Sequence, residues 1–302
     1  NIYNIYDLII TYDIKNIYKC GAWCWGRVLV TGATGLLGRS LCRQLRDDGW
    51  NVTATGFRRA PPLMLRFPAL TKRLFQPDVI VHCAAERRPD VVEHSSEAAL
   101  NLNVHSTATL AKEAAFSSYI SIQFVFVGGT RDSVILSLFL RLSDPVSSLL
   151  RLGDPPCARP VREVERVSES AVTVLWSSIL DSVETCSLDH TQQRFPTSVR
   201  DVSKVCSNIC SRRRQDPSIR GVFHFSGKEQ MTKYEMAKSI ADAFELPSDH
   251  IVPVSPAPSA PAFSAPCGPR VAASEPRPFR AAILDCLWPF TPDRRWRQTV
   301  FH

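Results

Sequence analysis

The chain reads as an α/β protein, a doubly wound parallel sheet followed by a smaller C-terminal lobe. Three observations predict this. A short apolar run, Val28 to Val30, leads straight into Gly32-x-x-Gly35-x-x-Gly38 and then into an amphipathic stretch. Apolar strand-like segments and helix-like segments alternate from there to Val127, the order of a parallel sheet with crossover helices. A capped amphipathic segment opening at Thr232 marks renewed order after a stretch without clear period.

Residues 1–26 read as a low-complexity extension, because Asn1-Ile-Tyr recurs at Asn4 and again at Asn16. The first strand begins at Arg27. A helix is expected from about Leu36 to Asp48, with Leu37, Leu41 and Leu45 at helical spacing. Asn51 to Thr55 alternates as a second strand. Asp78 to Cys83 is apolar enough to be a strand buried on both faces. Glu97 to Ala115 reads as a helix and Tyr119 to Val127 as a further strand. Residues 128–170 carry Leu- and Arg-rich text with Asp-Pro and Pro-Pro breaks and no period. Signal returns at Ser170 to Val174, Gly221 to Ser226 reads as a strand, and Thr232 to Phe244 as a helix with Glu235 completing a capping box. The Pro-, Ala- and Ser-rich residues 253–278 read as a loop or disordered segment. The organisation expected is an extension over 1–26 and a Rossmann-type nucleotide domain over 27–167, divergent from 128. A smaller lobe over 168–286 and an aromatic, basic tail over 287–302 complete it.

Composition narrows the function. A hydrophobic fraction of 44% across 302 residues suits a soluble protein with a real core. The longest apolar run, Val134 to Leu142, is broken by Arg141 and falls short of the ~18 residues of a membrane helix. The first residues show neither the charged region nor the cleavage site of a secretory signal. The net charge of +7 is spread over Arg58-Arg59, Arg87-Arg88, Arg212 to Arg214 and Arg294 to Arg297. That dispersal fits solvated faces plus a phosphate site better than a nucleic-acid groove. Ten cysteines carry no framework spacing, and Cys20-x-x-x-Cys24 and Cys206-x-x-x-Cys210 match no zinc ribbon. Incidental thiols in a reducing cytosolic or nuclear setting are expected.

Strand, glycine turn and helix start are the three parts of a dinucleotide pyrophosphate site. Gly32 makes the tight turn, Gly35 admits the phosphates to the backbone, and Gly38 lets helix and strand pack closely. The helix N-terminus then faces the anion. After the second strand an NAD site has a carboxylate for the ribose, but this chain has Gly56-Phe57-Arg58-Arg59. Two guanidiniums suit the 2′-phosphate of NADP, or else form a solvated turn. Cys83 to Ala85 would lie over the cofactor. Arg87 either reaches its phosphates or pairs with Asp90 and Glu93 at the surface. A carbonyl reductase on this scaffold needs a Tyr with a Lys four residues on. The one such pair, Tyr234 and Lys238, falls about 200 residues past the glycine loop and reads as a coincidence of a helix face.

The text resembles the regulatory β subunits of methionine adenosyltransferase, members of the extended short-chain dehydrogenase group similar to dTDP-4-dehydrorhamnose reductase. Carrying the likeness are Arg27 to Ser40, Gly56 to Ala60, Val79 to His94, Ser170 to Leu175, Gln192 to Ser198, Asp216 to Arg220, Glu229 to Lys238, Leu287 to Phe290 and Asp293 to His302. The resemblance implies an NADP site formed by Gly32, Thr34, Gly35, Leu36, Leu37, Gly38, Phe57, Arg58, Arg59, Cys83 and Arg87. It also implies a tail, Arg295, Trp296, Arg297, Val300, Phe301 and His302, that engages the catalytic α subunit in a hetero-oligomer. A tail folded back on its own sheet is the other reading of those aromatics. Where the family has Ser-Ser-Asp-Tyr-Val-Phe-Asp-Gly, this chain has Ser121-Ile-Gln-Phe-Val-Phe-Val-Gly128, so Ile122 replaces the hydroxyl. The family segment with its Tyr-x-x-x-Lys is replaced by unrelated text up to about Val167. The expectation is a non-catalytic NADP-binding regulator of S-adenosylmethionine synthesis. The alternative is an NADPH-dependent sugar-nucleotide or carbonyl reductase.

Overall fold

The computed structural model describes residues 26–56, 77–86, 94–113, 118–125, 135–141, 164–181, 184–216, 218–219, 225–255 and 275–291. Residues 1–25 of the N-terminal extension, the Arg58-Arg59 turn, Arg87, residues 221–224 of the strand expected over 221–226, most of the Pro-rich stretch and residues 292–302 lie outside them, and the last two residues of that expected strand, Phe225 and Ser226, are in no strand.

Among the described residues five strands form the main sheet: β1 (Arg27–Thr31), β2 (Asn51–Thr55), β3 (Val79–His82), β4 (Ser118–Val125) and β5 (Ile135–Arg141), in the order β2-β1-β3-β4-β5. The first four run parallel. Alternate side chains serve opposite layers. Val28, Val30, Val79 and Val81 pack with Leu41 and Leu45 of α1 (Leu36–Asp47), whereas Leu29 and Ile80 meet Leu110 on the other face. Helices therefore cover both faces, as the valine-rich strands require. The crossover from β3 to β4 comprises α2 (Ser96–Leu100), a π-helical turn (Asn101–His105) and α3 (Ser106–Glu113).

Two features of the sheet domain depart from expectation. The sheet is mixed, because β5 pairs antiparallel to β4, with Ile122 opposite Leu138. It lies in the stretch that shows no period, since the near-continuous apolar run Ile-Leu-Ser-Leu-Phe-Leu carries no alternation to detect. The other departure is a helix the sequence reading passes over, α5 (Val199–Gln215), which packs on α1 through Val202, Val205, Cys206, Ile209 and Cys210. Its signals were present: Ser198 accepts from the Arg200 amide as N-cap, Asp201 sits in the first turn, and three arginines close the last. Cys206 and Cys210 are thus core residues one turn apart.

A second core gathers α4 (Leu175–Leu180), α6 (Lys233–Ala243) and α7 (Phe279–Leu287) beside the parallel pair β6 (Cys186–Asp189) and β7 (Ile251–Val254). The rings of Trp176 and Phe244 meet edge to face at 4.8 Å. Helix α6 begins where the capping box places it. The Glu235 amide donates to Thr232 Oγ1 at 3.2 Å, and the Thr232 amide donates to Glu235 Oε2 at 2.7 Å. The first residues of the expected tail belong to this core: Leu287 is fully buried and Phe290 packs on it, while Trp288 is 70% exposed.

Candidate functional site

The C-terminal ends of β1, β2 and β3 converge on the glycine loop. The Ala33 amide donates to the Thr55 carbonyl at 2.8 Å, and the Cys83 amide to the Thr31 carbonyl at 3.1 Å. Gly32 has φ +70°, and a Cβ there would lie 2.6 Å from the Ala84 nitrogen. Only glycine fits that turn. A Cβ on Gly38 would sit 2.2 Å from the Gly32 carbonyl oxygen, so the helix start and the strand end touch through bare backbone. Gly35 differs, because its Cβ would meet only that same oxygen, at 3.3 Å. Among the described residues Gly35, the N-cap of α1, is thus the least crowded of the three glycines, and there no side chain caps the helix and no acid occupies its first turn. Such an end attracts an anion. Thr34 covers Gly56 at the end of β2, where a Cβ would strike Thr34 Cγ2 at 2.5 Å.

Of the residues expected at a nucleotide site, the structure thus gathers Gly32, Thr34, Gly35, Leu36, Leu37, Gly38 and Cys83 around one loop. Phe57, Arg58, Arg59 and Arg87 lie outside the described residues, as do Arg295, Trp296, Arg297, Val300, Phe301 and His302 of the tail. Burial pushes the Cys83 thiol up, with Cys42 and Cys210 nearby adding to the effect, so it stays protonated at pH 7.

Sequence reasoning missed two supports of this loop. The first is Arg39. Its Nη1 donates to the Thr34 carbonyl at 2.9 Å, its Nη2 donates to Glu169 Oε2 at 2.7 Å, and Glu165 Oε1 lies 3.6 Å from its Nε. The second is His82, buried at the end of β3. Its Nδ1 and the Thr31 hydroxyl are 2.6 Å apart, and its Nε2 and Thr107 Oγ1 3.1 Å. Thr107 in turn donates to the carbonyl of Asn103, whose amide clasps the backbone of Glu86 through two 2.8 Å bonds. Burial lowers the His82 pKa to about 4, so the ring is neutral at pH 7. Neither support carries a composition or spacing signal, since each depends on at least one partner 25 or more residues away.

Tyr234 and Lys238 sit on α6 and serve the second lobe. The Tyr234 ring meets His190 edge-on at 5.0 Å, and Lys238 Nζ donates to Ser248 Oγ at 2.6 Å. Among the described residues no group of three or more His, Cys, Asp or Glu is arranged for a metal ion. None of their helices is long and apolar enough to cross a membrane. The site as built can hold a phosphate-bearing ligand on backbone amides.

The RmlD substrate binding domain family matches residues 26–134 and 167–289. Methionine adenosyltransferase 2 subunit beta of Danio rerio is 47% identical over 305 residues, covering 91% of this chain and 94% of its own length. The Bos taurus protein of the same name is 45% identical over 316 residues, 91% of each chain. Among solved structures, dTDP-4-dehydrorhamnose reductase from Bacillus anthracis, in complex with NADP, superposes with a TM-score of 0.62 at 16% identity. That match covers 90% of this chain and all of the reductase, and shows the shared fold.

Proposed function

Since the chain belongs to the RmlD substrate binding domain family and, within it, to the methionine adenosyltransferase 2 β subunits, we propose that it is a non-catalytic, NADP-binding regulatory subunit of an S-adenosylmethionine synthetase. Its partner is then the catalytic α subunit, in a reducing cytosolic or nuclear compartment. The observation that carries the nucleotide half is the glycine loop itself: among the described residues a Cβ at Gly35 would meet a single atom, at 3.3 Å, while the Cβ positions of Gly32 and Gly38 on either side are filled by backbone. A pyrophosphate rests there on the amides of Leu36 and Leu37, while the Gly35 amide holds the turn by donating to the Gly32 carbonyl, and Phe57, Arg58 and Arg59 supply the adenosine end, the arginines selecting the 2′-phosphate. Cys83 walls the cofactor and Arg87 reaches its phosphates.

NADP supplies hydride chemistry only where a proton donor stands beside its nicotinamide. Supporting a ligand role instead, Ile122 stands at the position of the family's hydroxyl, and Tyr234 and Lys238 are engaged with His190 and Ser248. The assembly half rests on the relatives' names and on the tail through Arg295, Trp296, Arg297, Val300, Phe301 and His302, whose aromatic and arginine content suits a binding hot spot. Titration calorimetry with NADP and NAD tests the nucleotide half. NADP should bind about tenfold or more tighter, the worth of one charge-assisted contact. Equal affinities remove the role given to the arginines, and steady carbonyl-dependent oxidation of NADPH establishes the reductase reading instead.

A further inference from the structure

We propose that Arg39 is the positioning residue of the nucleotide loop, and that Glu169, with Glu165, makes it a strut coupling loop occupancy to the second lobe. The inference rests on the nucleotide reading of that loop. The peptide joining Thr34 to Gly35 is planar, so fixing both of its polar atoms fixes the turn. Its N–H donates to the Gly32 carbonyl at 3.0 Å, and its carbonyl accepts from Arg39 Nη1. The other arm of the guanidinium is pinned by Glu169, and these two side chains are only 12% and 13% exposed. Glu169 Oε2 also accepts from the Glu165 amide at 3.1 Å.

Beyond Glu169 the chain closes on itself. Ser170 Oγ accepts from the amides of Val172 and Thr173 at 3.1 Å, and Thr173 Oγ1 donates to the Val167 carbonyl at 2.7 Å. Val167 and Val172 pack against the core that holds Trp176 and Ile179. A hydrogen-bonded path thus runs from the Thr34 carbonyl through Arg39 and Glu169 into the second core. The charge arrangement points the same way. Two carboxylates near an anion-binding helix end oppose a pyrophosphate unless a cation stands between, and Arg39 occupies that place.

The experiment pairs NADP titration with backbone hydrogen exchange across residues 164–174, on the parent chain, Glu169→Gln, Arg39→Met and the double variant. Glu169→Gln keeps the shape, so it reports on the strut even if Arg39→Met melts early. In the parent, NADP should slow exchange over 164–174. In Glu169→Gln that protection should vanish and affinity fall about tenfold, as expected for losing one charge-assisted bond. The double variant should lose less than the product of the single losses. A parent that binds NADP without protecting 164–174, or a Glu169→Gln chain with unchanged affinity, overturns the strut and leaves the nucleotide reading standing. A parent that does not bind NADP overturns both.

Discussion

Gly35→Val separates folding from ligand binding, because the glycine's absent side chain matters to one and hardly to the other. At φ −78° and ψ 168° the residue occupies extended backbone open to valine. Among the described residues, the one heavy atom a Cβ would approach within 4 Å, outside its immediate neighbours, is the Gly32 carbonyl oxygen at 3.3 Å. A shift of a few tenths of an ångström, plus loss of a favourable N-cap residue, costs about 1 kcal/mol. That lowers the melting temperature by about 2–4 °C. The bound pyrophosphate would occupy the volume of the new methyls. Forfeiting two charge-assisted amide bonds of about 1.5–3 kcal/mol each lowers NADP affinity at least a hundredfold. Differential scanning fluorimetry and NADPH fluorescence titration on one preparation read both quantities. A folded variant with unchanged affinity would refute the phosphate role of the loop. A variant that unfolds would refute the light crowding of that glycine.

Three further outcomes follow from the same geometry. Gly38→Ala places a Cβ 2.2 Å from the Gly32 oxygen and 2.7 Å from Ala33 Cα, so helix and strand must part; thermal melts should show a loss of about 1–3 kcal/mol, and a neutral result would contradict the packing. His82, held neutral with its pKa lowered from 6.5 to about 4, is protonated more readily in the unfolded chain, so its contribution is complete above pH 6.5 and drains away toward pH 4. The loss is about 3 kcal/mol at most, and urea melts of His82→Asn between pH 7 and pH 4.5 should lack that slope; an identical slope would assign it to other groups. A chain truncated after Thr291 should keep its melting temperature and NADP affinity yet lose the synthetase, as judged by co-purification, and retention of the partner would move the interface off the tail.

The nucleotide half of the fold was legible because its signals are local. A valine run, a glycine turn and leucines at helical spacing place β1 and α1 within a residue of their observed ends, and the Thr232 capping box does the same for α6. β5 was hidden because a nearly all-apolar run has no period, and its antiparallel pairing is fixed by β4 and not by its own text. Helix α5 was hidden among serines and arginines, although Arg213 and Ser203 prove to be buried where α5 packs on the sheet domain. The Arg39–Glu169 contact spans 130 residues and exists only once the lobes are placed. Local grammar reveals the loop, but not what braces it.

If the chain is a regulatory subunit as proposed, it serves another protein's chemistry and performs none with a nucleotide of its own. The most direct measurement mixes the full chain with the tagged catalytic α subunit of methionine adenosyltransferase 2, isolates the complex by size exclusion, and follows S-adenosylmethionine formation with and without the chain. Co-elution and a changed synthetase rate, with no NADPH consumed, are expected of a regulatory subunit. Separate elution with an unchanged rate would contradict that role.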